Sequence, residues 1–201
     1  MPPGAEPRRP PARPRPPAAF LAPALVLAVA VHGRALGTFF AQDDITLLSR
    51  SAGLVPPGGL FRPLAQAAFR GEYALFGLDP LGYHVVGLAL HLLAVALLYA
   101  LALRLTRSRG TAAAAAVLFG TSAIAFTPLH WATSVGELLA ADLLLGATLL
   151  WPGGGEVAPA RRWGAALLAL AAMSCKEIAA GWVIVVALLD RGSPRRLRAL
   201  L

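Results

Sequence analysis

Three scarcities set the first limits on this sequence of 201 residues. It has a single cysteine, Cys175, so no disulfide can form within the chain and the redox compartment stays open. Only 14% of its residues are charged while 57% are hydrophobic, and a soluble domain of this size needs more charge to face water. It also lacks a zinc-ligand pattern and a Gly-rich phosphate loop. Aromatic residues do not interleave with the basic clusters, so the net charge of +8 does not read as a nucleic-acid surface. No nucleic-acid partner is expected.

What is present is a series of long apolar runs separated by short charged islands, with a mean hydropathy of +0.66. That pattern predicts an all-α, polytopic transmembrane helical bundle. Residues 1–17 carry eight prolines and four arginines with almost nothing to bury, which predicts a disordered Pro/Arg-rich cytoplasmic tail. Residues 18–190 form the transmembrane module, and 191–201 form a basic cytoplasmic tail. The first apolar run extends from Ala18 to Phe40. Ala28-Val29-Ala30 has the look of a signal-peptide cleavage site, but the hydrophobic stretch resumes after Arg34, which favours a retained span.

From Gln42 to Asp79 the chain is polar, mixed and too charged to span. Within it, Leu60 to Phe76 has helical periodicity. Arg62, Gln66, Arg70 and Tyr73 share one face, and Phe61, Leu64, Ala68 and Leu75 the other. Such a helix is expected to lie in the membrane interface, in the first outer loop. Further spans are read at Gly82 to Leu103, Ala112 to Phe126 and Val135 to Trp151, followed by a break at Pro152-Gly153-Gly154-Gly155. The apolar stretch from Trp163 to Leu189 is too long for one straight span and too short for two full ones. It reads as two short tilted helices, with Cys175-Lys176-Glu177 at the turn near the outer surface. About six passes result.

The distribution of positive charge agrees with this layout. With both termini cytoplasmic, the inner segments hold 13 of the 18 basic residues against three of the ten acidic ones. Asp43-Asp44, Arg62, Arg70, His130-Trp131, Glu137 and Lys176-Glu177 then share the outer side, where distant loops can converge on one site. Adjacent carboxylates such as Asp43-Asp44 can supply a general base or bind a divalent metal, and they equally can simply end a membrane helix. Lys176-Glu177 between two apolar stretches carries a desolvation cost and reads as a site or a structural ion pair. Arg62 and Arg70 suit anionic head groups, with a solvated helix face as the plainer alternative. Glu137 sits close enough to the outer end to face the site. His84 and His91, seven apart on one face, are expected to hydrogen-bond within the bundle, and Asp142 to pair with an inward group such as a histidine. Trp131 and Trp182 are compatible with interfacial anchoring.

A resemblance then becomes specific. Phe61-Arg62-Pro63-Leu64, Phe69, Tyr73, Gly77-Leu78, Pro80, Gly82-Tyr83-His84 and His91 follow an order found in the multi-spanning GT-C glycosyltransferases. Among these, the chain most resembles the O-mannosyltransferase-like proteins that carry tetratricopeptide repeats. Asp43-Asp44 matches their acidic pair in the first outer loop, Trp131 with Glu137-Leu138-Leu139-Ala140 their fourth-span entry, and Lys176-Glu177 their Ser-Lys-Glu turn. The resemblance covers about residues 38–190. It departs from the pattern at Cys175, where serine is expected, and at Gly87, Ala125, Thr127 and Val135.

The resemblance implies inverting transfer of a sugar from a polyprenyl-phosphate-linked donor in the membrane lipid to an acceptor on the non-cytoplasmic side. It implies Asp43 as general base and Asp44 as its support or a metal ligand. Lys176, with Arg62, would stabilise the leaving phosphate, and Glu177 would orient Lys176 or share a divalent metal with Asp44. Arg70 and Glu137 are further substrate-binding candidates. Such enzymes are far longer, so the module is expected to be incomplete: a fragment, a split protein with a second polypeptide supplying the missing spans, or a decayed copy. The expected location is a bacterial inner membrane. Two other readings stay open: a non-catalytic membrane assembly or scaffold subunit, and a small transporter using His84, His91 and Asp142.

Overall fold

A computed structural model describes residues 18–56, 58–151 and 159–191. The tail 1–17, the Pro152–Gly155 break and the tail 191–201 beyond its first residue lie outside the described residues. The described residues form helices and short turns: α1 (Ala18–His32), α2 (Gln42–Ser51), α3 (Pro63–Phe76), α4 (Pro80–Thr106), α5 (Arg109–Gly120), α6 (Phe126–His130), α7 (Val135–Leu150), α8 (Pro159–Cys175) and α9 (Trp182–Arg191).

Local chemistry explains where these helices start. Asp79 caps α4 by accepting from the Leu81 N–H at 3.0 Å, and Pro80 occupies the first helical position, where no N–H is needed. Ser108 caps α5 in the same way through the Thr111 N–H. Between α4 and α5, Arg107 adopts a left-handed conformation (φ 56°) that reverses the chain within two residues. Pro63 opens α3 and Gly77 at φ 57° closes it.

Among the described residues, three stretches are long and apolar enough to cross a membrane: Ala19–Gly37, Pro80–Thr106 and Ala132–Leu150. A fourth results if Arg109–Gly120 and Ala123–His130, bent at 43°, make one span. The 17 residues of α8 and the apolar Glu177–Leu188 fall short of that length. Side-chain contacts make neighbouring helices alternate in direction. Ala24 of α1 packs with Tyr99 of α4 and Ala112 and Ala116 of α5 at one end, while Ala35, Ala125, Leu129 and Leu138 cluster toward the other.

Small residues carry the closest approaches. A Cβ added to Gly120 would come within 3.1 Å of Val95 and 3.4 Å of Ala28, and the facing alanines are fully buried. Helices in lipid associate through such small-residue contacts, because apolar surface gains little by leaving a lipid tail. Larger apolar residues, including Val26, Leu118 and Leu167, point outward.

The buried polar groups mostly find helix ends. His84 bonds the Thr38 hydroxyl and the Leu129 carbonyl, each at 3.0 Å, and His91 bonds the Gly120 carbonyl at 3.1 Å. Carbonyls in a final helical turn have no partner within the helix, which makes them available to these rings. The histidines therefore act as bundle ties. Asp142 is different: it is buried on α7, and neither carboxylate oxygen has a partner among the described residues. The expected Asp142–histidine pair does not form among the described residues. Trp182 stands at the end of α7 opposite to the one on which α3 packs. It donates to Thr148 at 2.9 Å and packs edge-on to Trp151, near the C-terminal end of α7.

One glycine sets how closely α3 sits on α7: a Cβ at Gly136 would lie 2.5 Å from that of Ala65 and 3.4 Å from the Cys175 carbonyl. Gly136→Val is expected to wedge the two helices apart at a cost of about 1–3 kcal/mol, the usual range for overpacking. A lowered melting temperature of the purified chain in detergent checks this, and an unchanged one would show that α3 is free to shift.

Candidate functional site

The polar residues missing from the helix bundle collect at the end where α1 stops and α4 and α7 begin. The helix α2, which periodicity did not single out, organises this end. Its first turn holds Asp43 and Asp44, and acidic residues are favoured there by the positive end of the helix dipole. Asp44 is fully buried and has a structural task. One oxygen accepts from the Ala41 N–H at 2.8 Å, and the other accepts from the Thr133 N–H at 2.7 Å. It thereby caps its own helix and pins it to the segment leading into α7. Asp43, one residue earlier and so turned away by about 100°, is exposed and borders a cleft.

That cleft has a volume of about 380 Å³. Asp43, Thr46, Leu47 and Arg50 form one wall, at the i, i+3, i+4, i+7 spacing of a single helix face. Arg62, the residue that precedes α3, and Ala65 and Gln66 of α3 form a second wall, and Trp131, Thr133, Ser134, Glu137 and Lys176 close the third side. A side recess continues past Arg50 and Gln66 to Phe69 and Arg70.

The turn after α8 joins these walls. Lys176 is in extended backbone (φ −152°, ψ 128°), and successive side chains of an extended segment point to opposite sides. Lys176 accordingly reaches Glu137 at the start of α7, whereas Glu177 reaches Arg62 at the start of α3. The latter contact is bidentate: Arg62 donates from Nε at 2.9 Å and from Nη2 at 2.7 Å to the two oxygens of Glu177. The Arg62 hydrogen bonds hold the Glu177 carboxyl below the usual carboxylate range.

The placement of the expected site residues is thus mixed. Asp43, Arg62, Glu137 and Lys176 line one cleft, and Arg70 lines its recess. Glu177 stands just outside the lining, as the partner of Arg62 and not of Lys176. The two carboxylates expected to share a divalent metal do not fit one. The oxygens of Asp44 are taken by backbone N–H groups and those of Glu177 by Arg62, and no group of three or more His, Cys, Asp or Glu side chains gathers among the described residues. Lining residues that periodicity did not single out include Thr46, Arg50 and Ser134. An acidic first turn followed by Thr46, Leu47 and Arg50 at helical spacing was the signal for the first two.

Further along α3, Glu72 is buried with its Oε2 unpartnered among the described residues. Burial pushes its carboxyl up to about 8 from an ordinary 4.5. The folded chain then holds this proton to higher pH than the unfolded chain does. Its contribution is intact below pH 4.5 and is lost as pH rises toward 8. The melting temperature is expected to fall between pH 6 and pH 8, as followed by thermal unfolding in detergent, and Glu72→Gln should flatten that slope.

No family model matches the chain, and no solved structure matches it. Over 142 residues, 68% of this chain, it is 35% identical to the Protein O-mannosyl-transferase Tmtc1 of Drosophila melanogaster. The chain covers 16% of the length of that relative. A helical chain with membrane-length apolar helices and this similarity is a membrane protein related to the O-mannosyltransferase-like proteins.

Proposed function

We propose that the cleft is the reaction site of a membrane glycosyltransferase module that moves a sugar, mannose by analogy with the relative, from a polyprenyl-phosphate-linked donor to an acceptor hydroxyl. In this reading the chain crosses the membrane in about six passes with both termini cytoplasmic. The helix α3 then lies in the interface, and the cleft opens on the non-cytoplasmic side. The observation that carries it is the position of Asp43: an exposed carboxylate on a cleft wall, facing a space bordered by cations.

Sugar transfer needs those two kinds of group. A carboxylate takes the proton from the acceptor hydroxyl as its oxygen attacks the anomeric carbon. Positive charge stabilises the phosphate that departs with the electron pair of the broken bond. Asp44 serves this chemistry indirectly, by fixing the first turn of α2 and so the direction in which Asp43 points. The similarity to an O-mannosyl-transferase supports the substrate class. No step is routed through a metal, because the carboxylates expected to hold it are otherwise engaged.

Asp43→Asn keeps the shape and removes the base. Mannose transfer from polyprenyl-phosphate mannose to a Ser/Thr peptide, catalysed by the full chain in lipid, is expected to drop about 100-fold or more, the usual weight of a general base. Equal transfer by both proteins would sink the enzymatic reading and favour a scaffold role for the same fold.

A further inference from the structure

The cations around the cleft are not equivalent. Lys176 is paired with Glu137, and Arg62 is held at two atoms by Glu177. Each of these positive charges is already compensated by a neighbouring carboxylate. Arg50 and Arg70, by contrast, face the recess that opens from the same cleft, and neither is ion-paired among the described residues. The Arg50 Nε is buried and lacks any hydrogen-bond partner among the described residues.

Arg50 is also built in. The chain passes close over its guanidinium at Gly58 and Gly59: a Cβ on Gly59 would come within 3.2 Å of Nη1, and one on Gly58 within 3.6 Å of Nη2. Gly59 adopts a positive φ of 93°, which side chains other than glycine rarely take. A half-buried guanidinium with an unsatisfied donor is costly unless something accepts from it. Its planar fork suits the paired oxygens of a phosphate.

We propose that Arg50, assisted by Arg70, is the phosphate-binding group of this cleft, and that Arg62 and Lys176 instead hold the walls in place. The assignment rests on reading the cleft as a sugar-transfer site, and it reverses the roles that the resemblance implies for these cations. The geometry of α2 suits it. Asp43 and Arg50 share one face seven residues apart, about 10 Å along the helix axis. An in-line displacement needs base and phosphate partner on opposite sides of the sugar carbon, a span of about 10 Å once hydrogen bonds of about 2.8 Å are included at each end. The acceptor oxygen bonds to the anomeric carbon and its proton passes to Asp43. The bond from that carbon to the phosphate oxygen breaks, and its electron pair leaves on the phosphate. A phosphodiester with one negative charge becomes a monoester with a second one, and Arg50 receives that added charge.

The test is binding of farnesyl phosphate, and separately of inorganic phosphate, to the full chain in detergent by isothermal titration calorimetry. Arg50→Gln is expected to weaken farnesyl phosphate binding about tenfold, the weight of one charge-assisted contact, and Arg70→Gln less. Arg50→Lys should recover part of the loss, and unchanged melting would show that each variant is folded. Binding of farnesyl phosphate alone identifies a lipid-borne phosphate, and binding of both probes a site for phosphate of either source. The proposal is overturned if the wild-type chain binds neither probe. It is overturned equally if Arg50→Gln binds like wild type while Lys176→Gln or Arg62→Gln does not. Arg50-dependent binding without any mannose transfer would leave the phosphate site standing and remove the enzymatic reading, so the two fail separately.

Discussion

A chain that leaves an apolar helix and must re-enter an apolar environment has few residues in which to do anything polar. Here that space is the extended step at Lys176 and Glu177, where consecutive side chains point to opposite sides. One carries its charge to Glu137 and the other to Arg62, so a single turn after α8 is tied to the starts of both α7 and α3. An exposed ion pair adds little to stability. The value of these two lies in position: they set the distance between the walls on which the cleft depends.

The same economy governs Asp44. A carboxylate at zero exposure survives because two backbone N–H groups donate to it, one from its own helix start and one from residue 133. With that anchor in place, the adjacent Asp43 is left pointing into the cleft. Two neighbouring and chemically identical residues thus divide into a buried support and an exposed cleft residue, and the division follows from the 100° step between successive helical positions.

Inside the bundle, polar side chains divide by whether a helix end lies within reach. His84 and His91 find carbonyls in the last turns of α6 and α5. Asp142 lies midway along α7, where every backbone group is already bonded within the helix, and stays without a partner among the described residues. The charged side chains gather instead around the cleft at the end where α2, α3, α7 and α8 meet.

Hydropathy and charge alone determined a helical membrane chain, the approximate limits of its long helices and the break near Lys176, because transfer of apolar side chains and of charges into lipid dominates every other energy in such segments. The Arg62–Pro63–Leu64 start of α3 and the grouping of polar loops at one end were legible for the same reason. Pairing was not. That Glu177 serves Arg62, that Glu137 serves Lys176 and that Asp44 is pinned by the Thr133 N–H depend on residues 39 to 115 positions apart meeting in space. Local periodicity carries no information about such meetings. They are decided by close helix packing, above all Gly136 against Ala65, which brings α3 onto α7 and so gives the charges their partners.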